Sequence, residues 1–505
     1  MAMQRSARLP CVVVFLCAAA LGFAAQDDFK DLESRVTEFA LKNGWKFIVL
    51  ERHQAPVASL LTYADVGSVQ EVKGITGLAH IFEHMAFKGS RTLGTKDYAK
   101  EKPALDRVDK AFHALQAERQ KGRKADPEKV KKLEEEFKAA QEAAGKFVVK
   151  NEFGDAIERA GGQNLNATTA EDRTNYFFSL PSNEIELWFY LESERFRDPV
   201  FREFYKERDV VMEERRLGES VPIQRLVEEF QAVAYKAHPY HEPVVGHMSD
   251  LQNITREDAE AFFKKYYAPS NLLSVVVGDV DPKRVRELAE NYLGIIPSGP
   301  KPEPLRTVEP PQTGERRITL RLQSQRVFVS GYHKPDINDP DNAVYDAIGS
   351  LLSDGRSSRL YRALVRDKKI ATQVGGFPGF PGQKYPGLFL FYAFPSPGHT
   401  NEEVEKGIGE EIDRLKSESV SKEELDGVKR RSRAGILRQL RNNSTLANML
   451  STYQALTGDW RTLFKQLDRI NAVTPQDIQR IAKATFTFDN RTVAVLEPLE
   501  TAAAK

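Results

Sequence analysis

Six prolines fall between residues 297 and 311, at Pro297, Pro300, Pro302, Pro304, Pro310 and Pro311. Each fixes φ and lacks an amide donor, so neither a helix nor a central strand can run through this stretch. Residues 296–316 therefore read as an extended, fairly stiff linker. It divides a chain of 505 residues, too long for one core, into a first part at 31–295 and a second at 317–500.

The two parts carry similar element orders. In the first, Val36 to Leu50 reads as a hairpin: Phe39 and Leu41 alternate, Lys42-Asn43-Gly44 turns, and Trp45, Phe47 and Val49 resume the alternation. Residues 56–64 form another strand, and Gly67, Gly74 and Gly77 punctuate a loop before a helix. Residues 161–180 read as a strand pair, 184–219 as a long helical region, and 271–280 as a continuous apolar strand suited to mid-sheet. After the linker come strand-like residues 317–333, helical 342–368, strand 386–394, helical 402–418 and 421–456, and strand 491–497. The repetition is loose, but it points to a duplication.

Between the two strand groups of the first part the pattern changes. Leu105, Val108, Phe112 and Leu115 are spaced three, four, three, as are Val130, Leu133, Phe137 and Ala140. Asp126 can cap and Pro127 can start the second helix. Residues from about 97 to 152 thus read as an inserted antiparallel helical hairpin with coiled-coil spacing. Its charged exterior fits a solvated face, a docking arm for a partner or a lid.

At the start of the chain, Arg5 and Arg8 precede an apolar run from Leu9 to Ala25 with small residues at its end. Residues 1–25 read as a secretory signal peptide, with export to the periplasm or medium and no stable membrane insertion after cleavage. A retained anchor is the competing reading, for which the run is short. Both cysteines, Cys11 and Cys17, lie inside this segment. A mature chain without them has no disulfide, no thiol nucleophile and no thiolate metal ligand. Asp354-Gly355-Arg356-Ser357-Ser358 is not a nucleophile elbow. The formal net charge of +1 gives no global reason to expect nucleic acid.

The chemistry concentrates in His80-Ile81-Phe82-Glu83-His84. On a helix, His80 and His84 stand one turn apart with Glu83 on nearly the same face. Two imidazoles so placed can hold one metal ion, and the carboxylate can move protons for a water there. The order is the inverted form of a common zinc-protease motif. These five residues alone also fit two histidines on a mostly buried helix. A third ligand must be His, Asp or Glu, and Glu214 is the best candidate. Glu207, Val210, Val211 and Glu214 share a helical face that reads as inward-pointing, with Glu207 as a carboxylate orienting a ligand or water. An acidic helix with ordinary ion pairs is the competing reading.

His80 to His84, then Gly161-Gly162, Asn166-Ala167-Thr168, Thr174-Asn175-Tyr176 and Glu207 to Glu214 resemble the insulinase/pitrilysin metallopeptidases, in particular the branch of the mitochondrial processing peptidase and its bacterial relatives. The resemblance spans about residues 36–498. Glu214 lies farther from His84 than the third ligand does in that family, and the helical hairpin within the interval accounts for the excess. The resemblance implies an α/β (α+β) fold of two homologous sandwich domains, with one zinc per chain held by His80, His84 and Glu214. It implies peptide-bond hydrolysis in an enclosed chamber, with Glu83 as general base. Asn166 and Ala167 match an edge strand that pairs with extended substrates; they also fit a plain strand start. Arg366 matches a substrate-contacting arginine, or is a surface charge, and Thr372 stands where the family often has a tyrosine. The implied partners are peptide substrates and a second subunit, either another copy or a metal-free homologue supplying the Arg/Tyr pair. The alternative is a non-catalytic or partner-dependent subunit. His238, His241 and His247 lie in a segment resembling a structural turn of the family rather than a second metal site.

Overall fold

The structure, a computed structural model, describes residues 31–499, so the N-terminal segment with both cysteines lies outside the described residues. Two sheets organise it. The first contains β1 (Val36–Ala40), β2 (Lys46–Glu51), β3 (Val57–Ala64), β4 (Gln163–Thr169), β5 (Thr174–Pro181) and β6 (Leu272–Gly278), in the order β1-β2-β6-β3-β5-β4. The second contains β7 (Arg316–Leu322), β8 (Val327–Lys334), β9 (Ala371–Phe380), β10 (Gly387–Pro395) and β11 (Arg491–Pro498), in the order β7-β11-β8-β10-β9. Without β1, the two orders correspond strand for strand. The one parallel pair in each sheet, β2 with β6 and β7 with β11, falls at the same place, and all other neighbours are antiparallel. The mixed α/β fold of two like domains is thus the one expected.

The helices that build or support the site are α1 (Leu78–Met85), α2 (Tyr98–Arg119), α3 (Pro127–Gly145), α4 (Ile185–Arg197), α5 (Phe204–Ser220), α6 (Pro222–Ala234) and α7 (Asn443–Thr457). α2 and α3 are the helical hairpin. The Asp126 side chain accepts from the Glu128 and Lys129 amides, and Pro127 opens α3. The hairpin does not project from the body. The α2 stripe Leu105, Val108, Phe112 and Leu115 is buried, while its α3 counterpart is only half-buried.

Alternation along the strands gives each sheet two apolar faces. In the first sheet, Trp45, Phe47, Val49, Leu60 and Val276 pack on helices of the same half, among them α4 with Trp188 and Phe189. The opposite face, with Ile48, Leu50, Leu61, Val275 and Val277, is covered by Leu446, Ala447 and Leu450 of α7, which belongs to the second half. The second sheet mirrors this. Its face bearing Val329, Leu388, Leu390, Ala494 and Leu496 is covered by Leu226, Phe230 and Ala234 of α6, from the first half. Each fully buried large side chain contributes roughly 1.5–3 kcal/mol. The linker separates the halves in sequence, yet each half completes the other's core.

Several elements differ from the sequence reading. The helical region 184–219 is two helices, α4 and α5, broken across 198–203, where Pro199 cannot donate and Glu203 takes a left-handed φ of 58°. Residues 421–456 likewise divide at Asn442, whose side chain caps α7 by accepting from the Thr445 amide. Residues 317–333 are two strands, β7 and β8. β9 was not expected, because Gly375, Gly376 and Pro378 conceal its alternation.

Candidate metal centre

α1 starts at Gly77, which has a φ of 88°. A Cβ there would lie 2.4 Å from the Val245 carbonyl oxygen, so glycine is required on both counts. The Glu71 carboxylate accepts from the Gly77 amide at 2.8 Å and the Ala79 amide at 2.7 Å, placing an acid at the positive end of the helix. Burial pushes Glu71 up to about 8 against the pull of those two donors. Leu78, Ala79, Ile81, Phe82 and Met85 face the core. That leaves His80, Glu83 and His84 together on the half-buried side.

α5 lies across from them. His80 Nε2 is 3.6 Å from Glu214 Oε2, and His84 Nε2 is 3.7 Å from Glu214 Oε1. The other nitrogen of His84, Nδ1, faces Glu207 Oε2 at 3.7 Å. One imidazole thus stands between the two carboxylates, which leave α5 almost two turns apart. The face is not wholly inward, as the sequence reading had it: Val211 is fully buried, but Val210 is 42% exposed. The Glu207–Glu214 line runs along the boundary between core and opening.

The electrostatics follow the packing. Burial, then the nearby His84, lower His80 to about 4 and keep it neutral. The Glu207 carboxylate raises His84 against burial. Burial alone would raise Glu207, but His84 and Lys88 outweigh it and hold the acid at about 2. Lys88 Nζ donates to Glu207 Oε1 at 2.6 Å. Burial raises Glu83, with Thr169 of β4 and His84 opposing.

Among the described residues, His80, His84 and Glu214 form the one group of potential ligands whose donor atoms all lie within 4.8 Å of one another. Donors about 2.0–2.1 Å from a tetrahedral ion stand about 3.4 Å apart. Each histidine Nε2 stands within a few tenths of that from one oxygen of the Glu214 carboxylate, His80 from Oε2 and His84 from Oε1. Two neutral-capable imidazoles and one carboxylate are a donor set suited to zinc, so these residues fit the ion.

Glu83 and His84 line a cavity of about 500 Å³ together with Lys88, Glu207, Asn166 and Ala167. Asn166 and Ala167 are on β4, the outer strand of the first sheet, and the Ala167 amide donates to Asn166 Oδ1 at 2.9 Å. Arg366 and Thr372 do not line this cavity. Arg366 is exposed and pairs with Asp367 at 2.6 Å. Thr372 is the second residue of β9, the outer strand of the second sheet, and its hydroxyl donates to the Phe394 carbonyl at 3.2 Å. The histidines of the 238–247 segment make local bonds. His238 Nδ1 accepts from the Tyr240 amide, and Glu242 pairs with both His241 and His247. Sequence reasoning did not single out Lys88, Thr169 or Glu71. Lys88 lies in the turn just beyond α1, and the other two come from separate loops and strands, so helical spacing reaches none of them.

Residues 46–113 and 143–247 match the profile described as insulinase (peptidase family M16), and residues 253–432 match that of the peptidase M16 inactive domain. Together these cover most of the chain. The break at 114–142 falls on the distal part of the helical hairpin. The zinc protease PqqE of Helicobacter pylori is 28% identical over 91% of this chain and 92% of its own. An uncharacterized zinc protease of Bacillus subtilis, YmxG, is 20% identical over 90% of this chain and 96% of its own. The crystal structure of a protease from Helicobacter pylori superposes with a TM-score of 0.77 at 27% identity, covering 92% of this chain and 99% of that one. The periplasmic protease PqqL of Escherichia coli shares the fold, with a TM-score of 0.69 at 17% identity over 92% of this chain and 47% of that one. By its two matched profiles, its paired sheets and its relatives, this chain belongs to the insulinase family of zinc metallopeptidases, peptidase family M16.

Proposed function

We propose that the chain is an exported zinc endopeptidase of the processing-peptidase type that cleaves extended peptides or unfolded segments. The observation that carries this reading is the convergence of His80, His84 and Glu214, with His84 and the neighbouring Glu83 opening onto a cavity that is also lined by the sheet-edge residues Asn166 and Ala167. One zinc per chain, bound there, supplies Lewis acidity that acidifies water and polarises a peptide carbonyl. Glu83, with its acid raised by burial, accepts the proton of the attacking water and passes it to the departing amine. Glu207 holds the His84 ring through Nδ1, leaving Nε2 for the centre. The edge of β4 aligns the substrate through main-chain hydrogen bonds, which give affinity with little sequence preference.

The chamber is completed by a second subunit, either another copy or a metal-free homologue. Supporting this, the chain matches only 47% of the PqqL chain, leaving room there for a second unit of similar size. Arg366 and Thr372 do not line the cavity within one chain, and a metal-free homologue is the partner that would supply an Arg/Tyr pair. That placement also favours a second reading, a subunit inactive until its partner joins. Digestion of a peptide library by the purified mature chain, with and without chelator, separates the readings. Chelator-sensitive cleavage supports the peptidase, and zinc-loaded protein that cleaves only with an added homologue supports the partner-dependent subunit.

A further inference from the structure

The two ligand-bearing helices, α1 and α5, are joined by a residue that is not among the candidate ligands but reaches the wall of the same cavity. Arg202 sits in the break between α4 and α5, two residues before α5 begins, and is 1% exposed. Its guanidinium has five N–H donors, and each has a partner. Nε donates to Glu101 Oε1 at 2.8 Å and Nη2 to Glu101 Oε2 at 3.2 Å. Nη1 donates to the Leu93 carbonyl at 2.9 Å and to the Lys88 carbonyl, and Nη2 to the Ser90 carbonyl at 2.5 Å. Those three carbonyls belong to the loop that leaves α1 just after His84. Two glycines make room for the guanidinium. A Cβ on Gly94 would lie 2.8 Å from Nη1, and one on Gly89 would lie 3.1 Å from it.

Lys88 is therefore held at both ends, its carbonyl by Arg202 and its ammonium by Glu207. Glu101, in the first turn of α2, is fully buried. An arginine this deep needs a compensating charge, and Glu101 at the root of the helical hairpin supplies it. We propose that the Arg202–Glu101 pair is a positioning clasp for the metal centre. It fixes the distance between α1 and α5, and so the distance from His80 and His84 to Glu214. The root of the hairpin is then a working part of the site, whatever its tip does. This inference rests on Glu214 being a metal ligand.

The test is zinc affinity, measured by competition with a chromophoric chelator on purified full-length chain, beside thermal unfolding of the same samples. Glu101→Gln keeps the size and removes the charge; Arg202→Lys keeps the charge and removes the fork. Either is expected to weaken zinc binding about 10- to 100-fold, the usual range for groups that orient ligands. Glu101→Leu combined with Arg202→Met removes both buried charges together but also the donors to three loop carbonyls, so its zinc affinity is compared in samples that thermal unfolding shows to be folded. It is expected to lose zinc affinity to the same extent. In a Glu214→Gln background, where α5 no longer supplies a ligand, Glu101→Gln is expected to add no further loss. Folded variants with wild-type zinc affinity, or losses fully additive with Glu214→Gln, would overturn the clasp. Unchanged zinc affinity in Glu214→Gln alone would instead overturn the ligand assignment beneath it.

Discussion

Replacing Glu207 with glutamine tests how the site is tuned, because its two effects on zinc binding oppose each other. The carboxylate lies 3.7 Å from His84 Nδ1. Unit charges at that distance interact by about 1 kcal/mol in water and about 4.5 kcal/mol at an effective dielectric constant of 20, and this half-buried site falls between. Glu207→Gln removes a negative charge near the bound cation and loosens the His84 ring, which weakens zinc binding by about 10- to 100-fold. It also removes the main influence that raises His84. In the wild type, His84 holds its proton to higher pH, and zinc must displace it; in the variant that competition is weaker. The sign follows: above the range where His84 titrates, the wild type binds zinc more tightly by the full factor. As pH falls through that range the wild type loses affinity faster, and the gap narrows. Zinc affinity of both proteins at a series of pH values, with the His84 titration followed by NMR in the metal-free chain, measures this. A ratio that stays constant or widens toward acid pH, or a His84 pKa that does not fall in the variant, would refute the coupling.

Other outcomes follow from the same geometry. Gly77→Ala forces a side chain into left-handed backbone, at about 1–2 kcal/mol, and against the Val245 carbonyl, at about 1–3 kcal/mol more; denaturant unfolding should register a loss of about 2–5 kcal/mol. Phe230→Ala opens a cavity where α6 covers the second sheet and should destabilise by about 3–5 kcal/mol. Tryptophan fluorescence and limited proteolysis should show both halves loosening together, since each completes the other's core. Removing the metal with a chelator should abolish peptide cleavage, and stoichiometric zinc should restore it.

How much the sequence reveals depends on whether a feature is local. His80, Glu83 and His84 are legible because one turn of helix brings them together without help from the rest of the fold. Glu214 is legible through its seven-residue spacing from Glu207, which returns to nearly the same helical angle. Val210 was misplaced for the same reason. It lies to one side of that line and Val211 to the other, and periodicity does not say which side meets solvent. The break between α4 and α5 was hidden in a charged run, although Pro199 stood within it. The exchange of α6 and α7 between the sheets was not legible at all. A helical stripe shows that a face is buried, not which sheet buries it. Arg202 was equally silent, since its partners are backbone carbonyls and a glutamate 101 positions away.

The central claim is that one zinc, held by α1 and α5, works with Glu83 to hydrolyse peptides. The most direct test measures zinc content and peptide cleavage together in wild type and Glu83→Gln. The account predicts one zinc per chain in both proteins, cleavage by the wild type under conditions that support its assembly, and a loss of cleavage of at least about 100-fold in the variant. A variant that cleaves at the wild-type rate, or a wild type that cleaves without zinc, would contradict it.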